Sequence, residues 1–334
     1  MKKLLIVTDA WRPQVNGVVR VIEEQTPFLV RQGWEVVLIE PGQFMSIPMP
    51  LYPEIMLALF PRRRVSKLIK HLNPDAIHLA TEGPLGFAAR RVCMREGIPF
   101  TTWYHTHFQL YVDVRIPGLM PLIWWFLRRF HSGAARTFVS TKSLQKQLER
   151  RGFKNLCVVP LGVDTNRFIK SKTPTTLPKP VFMYLGRLAP EKNPEEFLQL
   201  NLPGTKLVVG DGPDRARLEK KYRNSALFVG YKQGKELVDW LSQAEVLVFP
   251  SRTETFGLVA LEALSCGIPV AAHDVMGPRD IITHGVDGYL SEDLSDAAQK
   301  CLGLDPNNCR KKAELFSWQH SAEEFIKNVA VIEK

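Results

Sequence analysis

Along almost its whole length this chain alternates short apolar runs with helix-like segments, and that alternation leaves few folds open to it. Residues 4–7, 36–39, 76–79, 100–104, 137–139 and 157–159 make a first series of such runs. Residues 181–185, 206–209, 227–229, 246–249, 270–272 and 289–290 make a second. Near-continuous apolar strands separated by helices belong to parallel sheets covered on both faces, so the class is α/β. Residues 170–180 are rich in Pro, Thr and Lys without periodicity, and they read as a linker between the two series. A chain of 334 residues that is 45% hydrophobic can bury two cores, at the usual ~150 residues per domain. The expected domains are residues 1–165 and 166–316, followed by a final helical segment, 317–334.

Other classes are excluded by what the chain lacks. No stretch reaches the ~18 to 20 consecutive apolar residues of a membrane span. Met1-Lys2-Lys3-Leu4-Leu5-Ile6-Val7 resembles the start of a signal peptide, but Asp9 and Arg12 interrupt it and no small-residue cleavage site follows, so it reads as a first buried strand. The cysteines, at 93, 157, 266, 301 and 309, are dispersed, odd in number and without a Cys-x-x-Cys pair. That usage suits a reducing cytosol, with neither disulfides nor zinc.

The chemistry concentrates in Ser251-Arg252-Thr253-Glu254-Thr255-Phe256-Gly257-Leu258-Val259-Ala260-Leu261-Glu262-Ala263-Leu264. The apolar run 246–249 leads in, which puts Glu254 on the loop at a strand's C-terminal end, the edge where open α/β sheets bind ligands. From Phe256 onward the composition is helical. The N–H groups of Phe256, Gly257 and Leu258 would open a helix N-terminus that attracts an anion, with Gly257 allowing close approach of a phosphate. Glu262, further along, can accept hydrogen bonds from a ribose diol. Without other context, a helix cap plus a solvated helix face is the commoner explanation of two such carboxylates.

This stretch resembles the Glu-x7-Glu region of retaining GT-B glycosyltransferases of family 4. Further matches follow in the same order along nearly the whole chain: Asn16-Gly17-Val18, Glu82-Gly83-Pro84-Leu85-Gly86, Tyr104-His105-Thr106-His107, Gly162-Val163-Asp164, Gly186-Arg187-Leu188, Glu191-Lys192-Asn193 and Gly210-Asp211-Gly212-Pro213. The resemblance implies a GT-B fold: two Rossmann-like parallel-sheet domains facing a central cleft, with the helix at 317–332 crossing back to brace the first. It implies a donor that is a nucleotide-diphosphate sugar, with Arg187 and Lys192 on the diphosphate, Glu254 on hydroxyls of the transferring sugar and His105 orienting that sugar. Gly186, Gly210 and Gly212 line strand-end turns near the nucleotide, and Tyr231, in Gly230-Tyr231-Lys232, lies near the base. Retention without a well-placed carboxylate nucleophile implies a front-face mechanism, in which the leaving phosphate oxygen takes the acceptor proton.

Several residues carry two readings. Asn16, Gly17 and Val18 open a helix after the first strand, where N–H groups at Gly17 and Val18 can face a phosphate. The loop departs from the two-glycine pattern of relatives, and Asn-Gly is also a simple turn. An Arg and a Lys in isolation are usually solvated surface residues, and Asp211 can simply cap a helix. His105 and His107 are spaced for a metal pair on an extended segment, but no third ligand is evident and no Asp-x-Asp pair is present. No metal and no cofactor are expected, and side-chain cations take the place of a divalent ion at the leaving diphosphate.

The acceptor is approached through charge. The formal net charge is +10, and Arg62, Arg63, Arg64, Lys67 and Lys70 cluster in the first half. The segment from Gly118 to Arg129 joins an apolar run containing Trp124 and Trp125 to Arg128 and Arg129, which suits the headgroup boundary of an anionic membrane surface. The alternative is a core helix with a solvated basic end. Cations beside lipid-like anchors, rather than a base-stacking platform, argue against nucleic acid. The expected enzyme moves a hexose, from a GDP-mannose or UDP-glucose type donor, to a membrane lipid or glycolipid from the cytoplasmic side of the cell membrane. The wording of Thr81 to Gly86 and of Tyr104 to His107 looks most like the branch of glycolipid sulfoquinovosyl- and α-mannosyltransferases. A nucleotide-sugar epimerase and a catalytically silent membrane-binding protein of the same fold are the alternatives.

Overall fold

The computed structural model describes residues 1–14, 16–49, 52–105, 118, 120–171 and 177–333. Their contacts gather into two units, Met1–Leu161 with Trp318–Lys334, and Gly162–Ser317. In the first unit the strands are β1 (Lys2–Val7), β2 (Trp34–Ile39), β3 (Ser46–Met49), β4 (Tyr52–Ala58), β5 (Ala76–Leu79), β6 (Thr101–Trp103), β7 (Arg136–Val139) and β8 (Leu156–Val158). In the second they are β9 (Val181–Leu185), β10 (Thr205–Val209), β11 (Leu227–Gly230), β12 (Val246–Phe249), β13 (Val270–Ala272) and β14 (Gly288–Leu290).

Among the described residues, each apolar run expected as a strand lies in or overlaps one. They form two six-stranded parallel sheets, ordered β2-β1-β5-β6-β7-β8 and β11-β10-β9-β12-β13-β14. Each chain of strands starts mid-sheet, winds outward one way, then returns to wind outward the other way. The strand order therefore reverses between β1 and β5 in one sheet and between β9 and β12 in the other. In open α/β sheets such switch points leave a crevice beyond the strands' carboxyl ends.

Cores of both units follow from apolar strands under amphipathic helices. In the first, Leu5, Val7, Ile77 and Leu79 of the sheet meet Val65 and Ile69 of helix Arg62–Leu72, and Leu85 and Ala89 of helix Pro84–Glu96. In the second, Phe182, Tyr184, Val208 and Val248 meet Phe197, Leu218 and Ala297. Each fully buried Leu or Phe contributes about 2 kcal/mol against leaving it exposed. The last helix, Trp318–Asn328, packs on helix Gly17–Arg31, with Gln25 Nε2 donating to Ser321 Oγ at 2.9 Å between buried side chains. Phe325 of that helix inserts against the rings of His78, Trp103 and Phe138.

An antiparallel hairpin, β3 with β4, stands apart from the sheets. Pro48 and Pro53 sit in its strands, and proline in a short run demotes the strand signal to a loop, so the pattern of apolar runs did not reveal it.

Candidate functional site

At the β9/β12 switch point, two loops are tied together from beneath. Gly186, at φ 156°, turns the chain out of β9, and the buried Tyr184 hydroxyl donates to Arg187 O at 2.7 Å, fixing the backbone that carries the guanidinium. Burial, with the nearby Glu254 charge, pushes the Tyr184 phenol well above its ordinary range, so it stays a donor. A single 3-10 turn, Pro190–Lys192, then swings Lys192 back over the sheet edge. From the loop after β12, Thr253 Oγ1 donates to Glu191 O at 3.0 Å, and Lys192 Nζ meets Glu254 Oε1 at 2.5 Å.

Neighbouring backbones hold these loops closely. A Cβ on Gly210 would stand 1.8 Å from Gly186 O, and one on Gly212 2.4 Å from Leu188 O. On the other side, a Cβ on Gly277 would stand 2.7 Å from Phe256 O and 3.0 Å from Glu254 Cβ. Gly257, at φ 108°, is the N-cap of helix Leu258–Ser265 and brings no side chain to it. The first N–H groups of that helix have no intrahelical acceptor. Phe256 is buried just ahead of the helix, and Glu262, one turn in, is only 3% exposed.

The remaining expected donor residues are dispersed. Asp211 accepts from its neighbour Gly212 N and from Arg215 Nη1, both at 2.8 Å, and the N-cap position of helix Arg215–Tyr222 belongs to Asp214. Tyr231 follows β11 at the outer edge of the sheet, about half exposed.

In the first unit the β1/β5 switch point is built around a residue that sequence reasoning used only as a break in an apolar run. Asp9 follows β1 and is 5% exposed. Its carboxylate accepts from Leu85 N at 2.8 Å, from Gly86 N at 3.2 Å and from Thr81 Oγ1 at 2.9 Å, so it caps helix Pro84–Glu96 from another strand. Gly83 leaves it room, since a Cβ there would fall 2.4 Å from Asp9 Cγ. Burial outweighs these bonds and pushes the Asp9 carboxyl up to about 6. An acid directly after a buried strand was the available signal.

After β6 of the same sheet, His105 is half-buried and stacked on Trp103, centroids 4.7 Å apart and planes 16° from parallel. Desolvation, with His131 nearby, lowers its pKa to about 3, so the ring is neutral at physiological pH. Thr106 and His107 lie outside the described residues, as do Val15, Leu119 and residues 172–176 of the expected linker. Asn16 caps its own helix by accepting from Val18 N at 3.0 Å and Val19 N at 3.1 Å. The expected Val18 N–H donor is therefore already engaged, because Asn prefers this N-cap role, and the cap leaves Gly17 N–H aside.

The basic surface divides. Arg62, Arg63 and Arg64 are exposed at the start of their helix. On helix Met120–His131, Trp124 is 6% exposed and packs edge-on to Phe153, which corrects its expected place at a membrane surface. Helical periodicity explains the correction, since adjacent residues point 100° apart and the buried face of this helix takes in Trp124 with Ile123 and Leu127 while Trp125 turns outward. Leu122, Trp125, Phe126 and Arg129 instead form one exposed stripe at i, i+3, i+4, i+7 spacing, with the Arg129 guanidinium over the Trp125 ring. Arg128 is half-buried and donates to Arg151 O. No helix among the described residues is long and apolar enough to cross a membrane.

Comparison with known proteins accords with this architecture. Residues 165–301 match the family model described as glycosyl transferases group 1, and residues 15–167 match glycosyltransferase family 4. A GDP-mannose-dependent alpha-mannosyltransferase of Mycobacterium tuberculosis is 30% identical over 86% of this chain and 83% of its own length. A sulfoquinovosyl transferase of Arabidopsis thaliana is 32% identical over 82% of this chain and 60% of its own. An alpha-monoglucosyldiacylglycerol synthase of Streptococcus pneumoniae is 25% identical over 97% and 83%. Among solved structures, sucrose-phosphate synthase from Thermosynechococcus elongatus superposes with a TM-score of 0.78 over 98% of both chains at 20% identity, a likeness of fold.

The two Rossmann-like parallel-sheet units are of GT-B type, and together with both family-model matches and the mannosyltransferase relative they define a glycosyltransferase that uses nucleotide sugars. The chain belongs to glycosyltransferase family 4.

Proposed function

We propose that this enzyme transfers a hexose, with retention and without a metal ion, from a GDP-mannose or UDP-glucose type donor to a hydroxyl of a membrane lipid or glycolipid. The observation that carries the reading is the Lys192–Glu254 pair at the β9/β12 switch point, with Arg187 on the adjoining loop held through Tyr184. Arg187 offers paired N–H donors to diphosphate oxygens and Lys192 a mobile point charge, so negative charge growing on the leaving group meets cations where a divalent ion would otherwise stand. The helix N-terminus at Phe256, Gly257 and Leu258 adds its dipole. Glu254 holds hydroxyls of the transferring sugar, Glu262 the ribose, and neutral His105 orients the sugar. Gly17 approaches the diphosphate, Gly186, Gly210 and Gly212 shape the nucleotide turns, and Tyr231 lies by the base. The leaving phosphate oxygen accepts the acceptor proton on the same face.

Support for the donor comes from the mannosyltransferase relative's name, and for a lipid acceptor from the diacylglycerol in that of the synthase. The exposed stripe Leu122, Trp125, Phe126 and Arg129, with Arg62, Arg63 and Arg64, suits an anionic inner membrane face, where rings enter the headgroup layer and cations meet phosphates.

The test offers UDP- and GDP-sugars with anionic vesicles and lipid extract, with and without EDTA, and reads nucleotide release and product by mass spectrometry. One donor giving an α-linked glycolipid, at an EDTA-insensitive rate, is expected. Donor consumed with no acceptor product points to an epimerase, and vesicle binding without turnover to a silent scaffold; either outcome overturns the reading.

A further inference from the structure

Glu82 is not used by the donor chemistry above, yet the first unit holds it in place from the core outward. Buried Thr102 of β6 meets Thr137 Oγ1 of β7 at 3.0 Å, and His131 Nδ1 meets Thr102 Oγ1 at 2.8 Å. His131 Nε2 meets Glu82 Oε1 at 3.2 Å. Proton bookkeeping gives this chain one direction with a neutral ring: the Thr102 hydroxyl donates to Nδ1, and Nε2–H donates to the carboxylate. His131 is 3% exposed and both threonines are fully buried, so one carboxylate oxygen is fixed by groups with little freedom of their own.

The Glu82 side chain is 19% exposed, and among the described residues the bond from His131 is the one it accepts. Glu82 lies at the β1/β5 switch point, three residues beyond Leu79, the last residue of β5, and near Asp9, whose carboxylate is already taken by Thr81 and the helix it caps. Asp9 senses the Glu82 charge. Two neighbouring acidic groups repel a phosphate, whereas a partly exposed carboxylate is a strong acceptor for a neutral O–H donor.

We infer that Glu82, oriented by His131, is a binding residue for a hydroxyl of the acceptor's sugar or polyol headgroup, and that any acceptor phosphate is held elsewhere. Glu82 thus selects neutral polyol headgroups, and His131 is its positioning residue. This inference rests on the transferase reading above.

The test measures acceptor and donor KM separately for the wild-type enzyme and for Glu82→Gln and Glu82→Ala, with the lipid acceptor identified by the donor panel and with its deoxy analogues, and records thermal midpoints. A hydrogen bond to a charged group corresponds to roughly 10- to 100-fold, so acceptor KM is expected to rise by that factor in both variants with donor KM within about twofold. One deoxy analogue is expected to lose the same factor with wild type and nothing further with Glu82→Ala. Unchanged acceptor KM in both variants overturns the inference while leaving the transferase standing. Donor and acceptor KM rising together with a fallen midpoint overturns it in favour of a structural role. No transfer by wild type to any hydroxyl-bearing lipid overturns the transferase reading and this inference with it.

Discussion

Lys192 and Glu254, sixty-two positions apart in sequence, form an ion pair of 2.5 Å across the point where the second sheet reverses its strand order. Glu254 stands on a loop braced by Gly277, whereas Glu262 is buried within a helix, so the two carboxylates of one motif sit in different surroundings. Their neutral variants are therefore expected to separate. Glu254→Gln lowers kcat by roughly 100-fold, the scale of losing one group that acts on the transition state, with donor KM little changed. Glu262→Gln raises donor KM by roughly 10-fold, the scale of one ground-state hydrogen bond to a charged group. Steady-state kinetics against donor decides; equal rises in donor KM for both variants would sink the division of roles.

How much of this was legible in the chain depended on whether the signal was local. Apolar runs announce strands because burial on both faces leaves no polar alternation, so both parallel sheets were readable strand by strand, with the strand ends off by a residue or two. The placement of Glu254 on the strand-end loop, Gly257 at the helix start and Glu262 within the helix was readable because strand, glycine and helix adjoin in sequence. Tyr184 was not, since its role is a single hydroxyl bond to Arg187 O that no composition records. Asp9 was missed because the helix it caps begins more than seventy residues later, and a cap is sought next to the helix it serves. Trp124 and Trp125 looked alike as a pair, and only the rotation of the helix separates core from surface.

Asp9 makes folding stability depend on pH in an uncommon direction. Its folded pKa, about 6, lies above the ordinary 3.8, so between those values the folded state holds more proton than the unfolded. The contribution is fully present below about pH 4 and is lost as pH rises through 6, by about 3 kcal/mol for a shift of that size. Denaturant unfolding at intervals from pH 4 to 7, wild type against Asp9→Asn, is expected to reveal a difference in stability that moves toward the variant as pH rises. A difference independent of pH would show that Asp9 does not titrate in this window.

Backbone proximity at the turns after β9 and β10 gives a prediction about folding. Gly210 has φ 146°, and its missing Cβ is what lets Gly186 O approach, whereas Gly285, φ 78°, faces open space. Gly285→Ala is expected to cost about 1 to 2 kcal/mol from left-handed strain alone. Gly210→Ala adds a clash with a backbone that cannot move aside and is expected to cost about 3 to 5 kcal/mol, lowering the thermal midpoint by roughly 8 °C or more. Gly17→Ala meets nothing within 4 Å at a helical position and is expected to leave the midpoint unchanged or raised. Calorimetry of the three variants checks the ranking; Gly210→Ala melting with Gly285→Ala would refute it.

The stripe on helix Met120–His131 gives the proposed membrane contact a built-in control. Trp125 is 53% exposed and Trp124 6%, so adjacent tryptophans of one helix face opposite environments. If the stripe enters an anionic headgroup layer, Trp125→Glu loses the burial of a large ring, about 2 kcal/mol, and sets a carboxylate against anionic phosphates. Partition onto anionic vesicles in a sedimentation assay is then expected to fall at least about tenfold, with the thermal midpoint unchanged. Arg129→Gln removes one cation and is expected to weaken binding by about 1 kcal/mol at low salt, a loss that shrinks as salt screens the surface charge. Trp124→Ala acts on the core instead: it opens a cavity against Phe153 and lowers the midpoint by an amount set by about 3 to 5 kcal/mol. Should Trp125→Glu bind vesicles as well as wild type does, the apolar stripe is not the lipid-facing surface, and the exposed arginines at 62, 63 and 64 become the place to test.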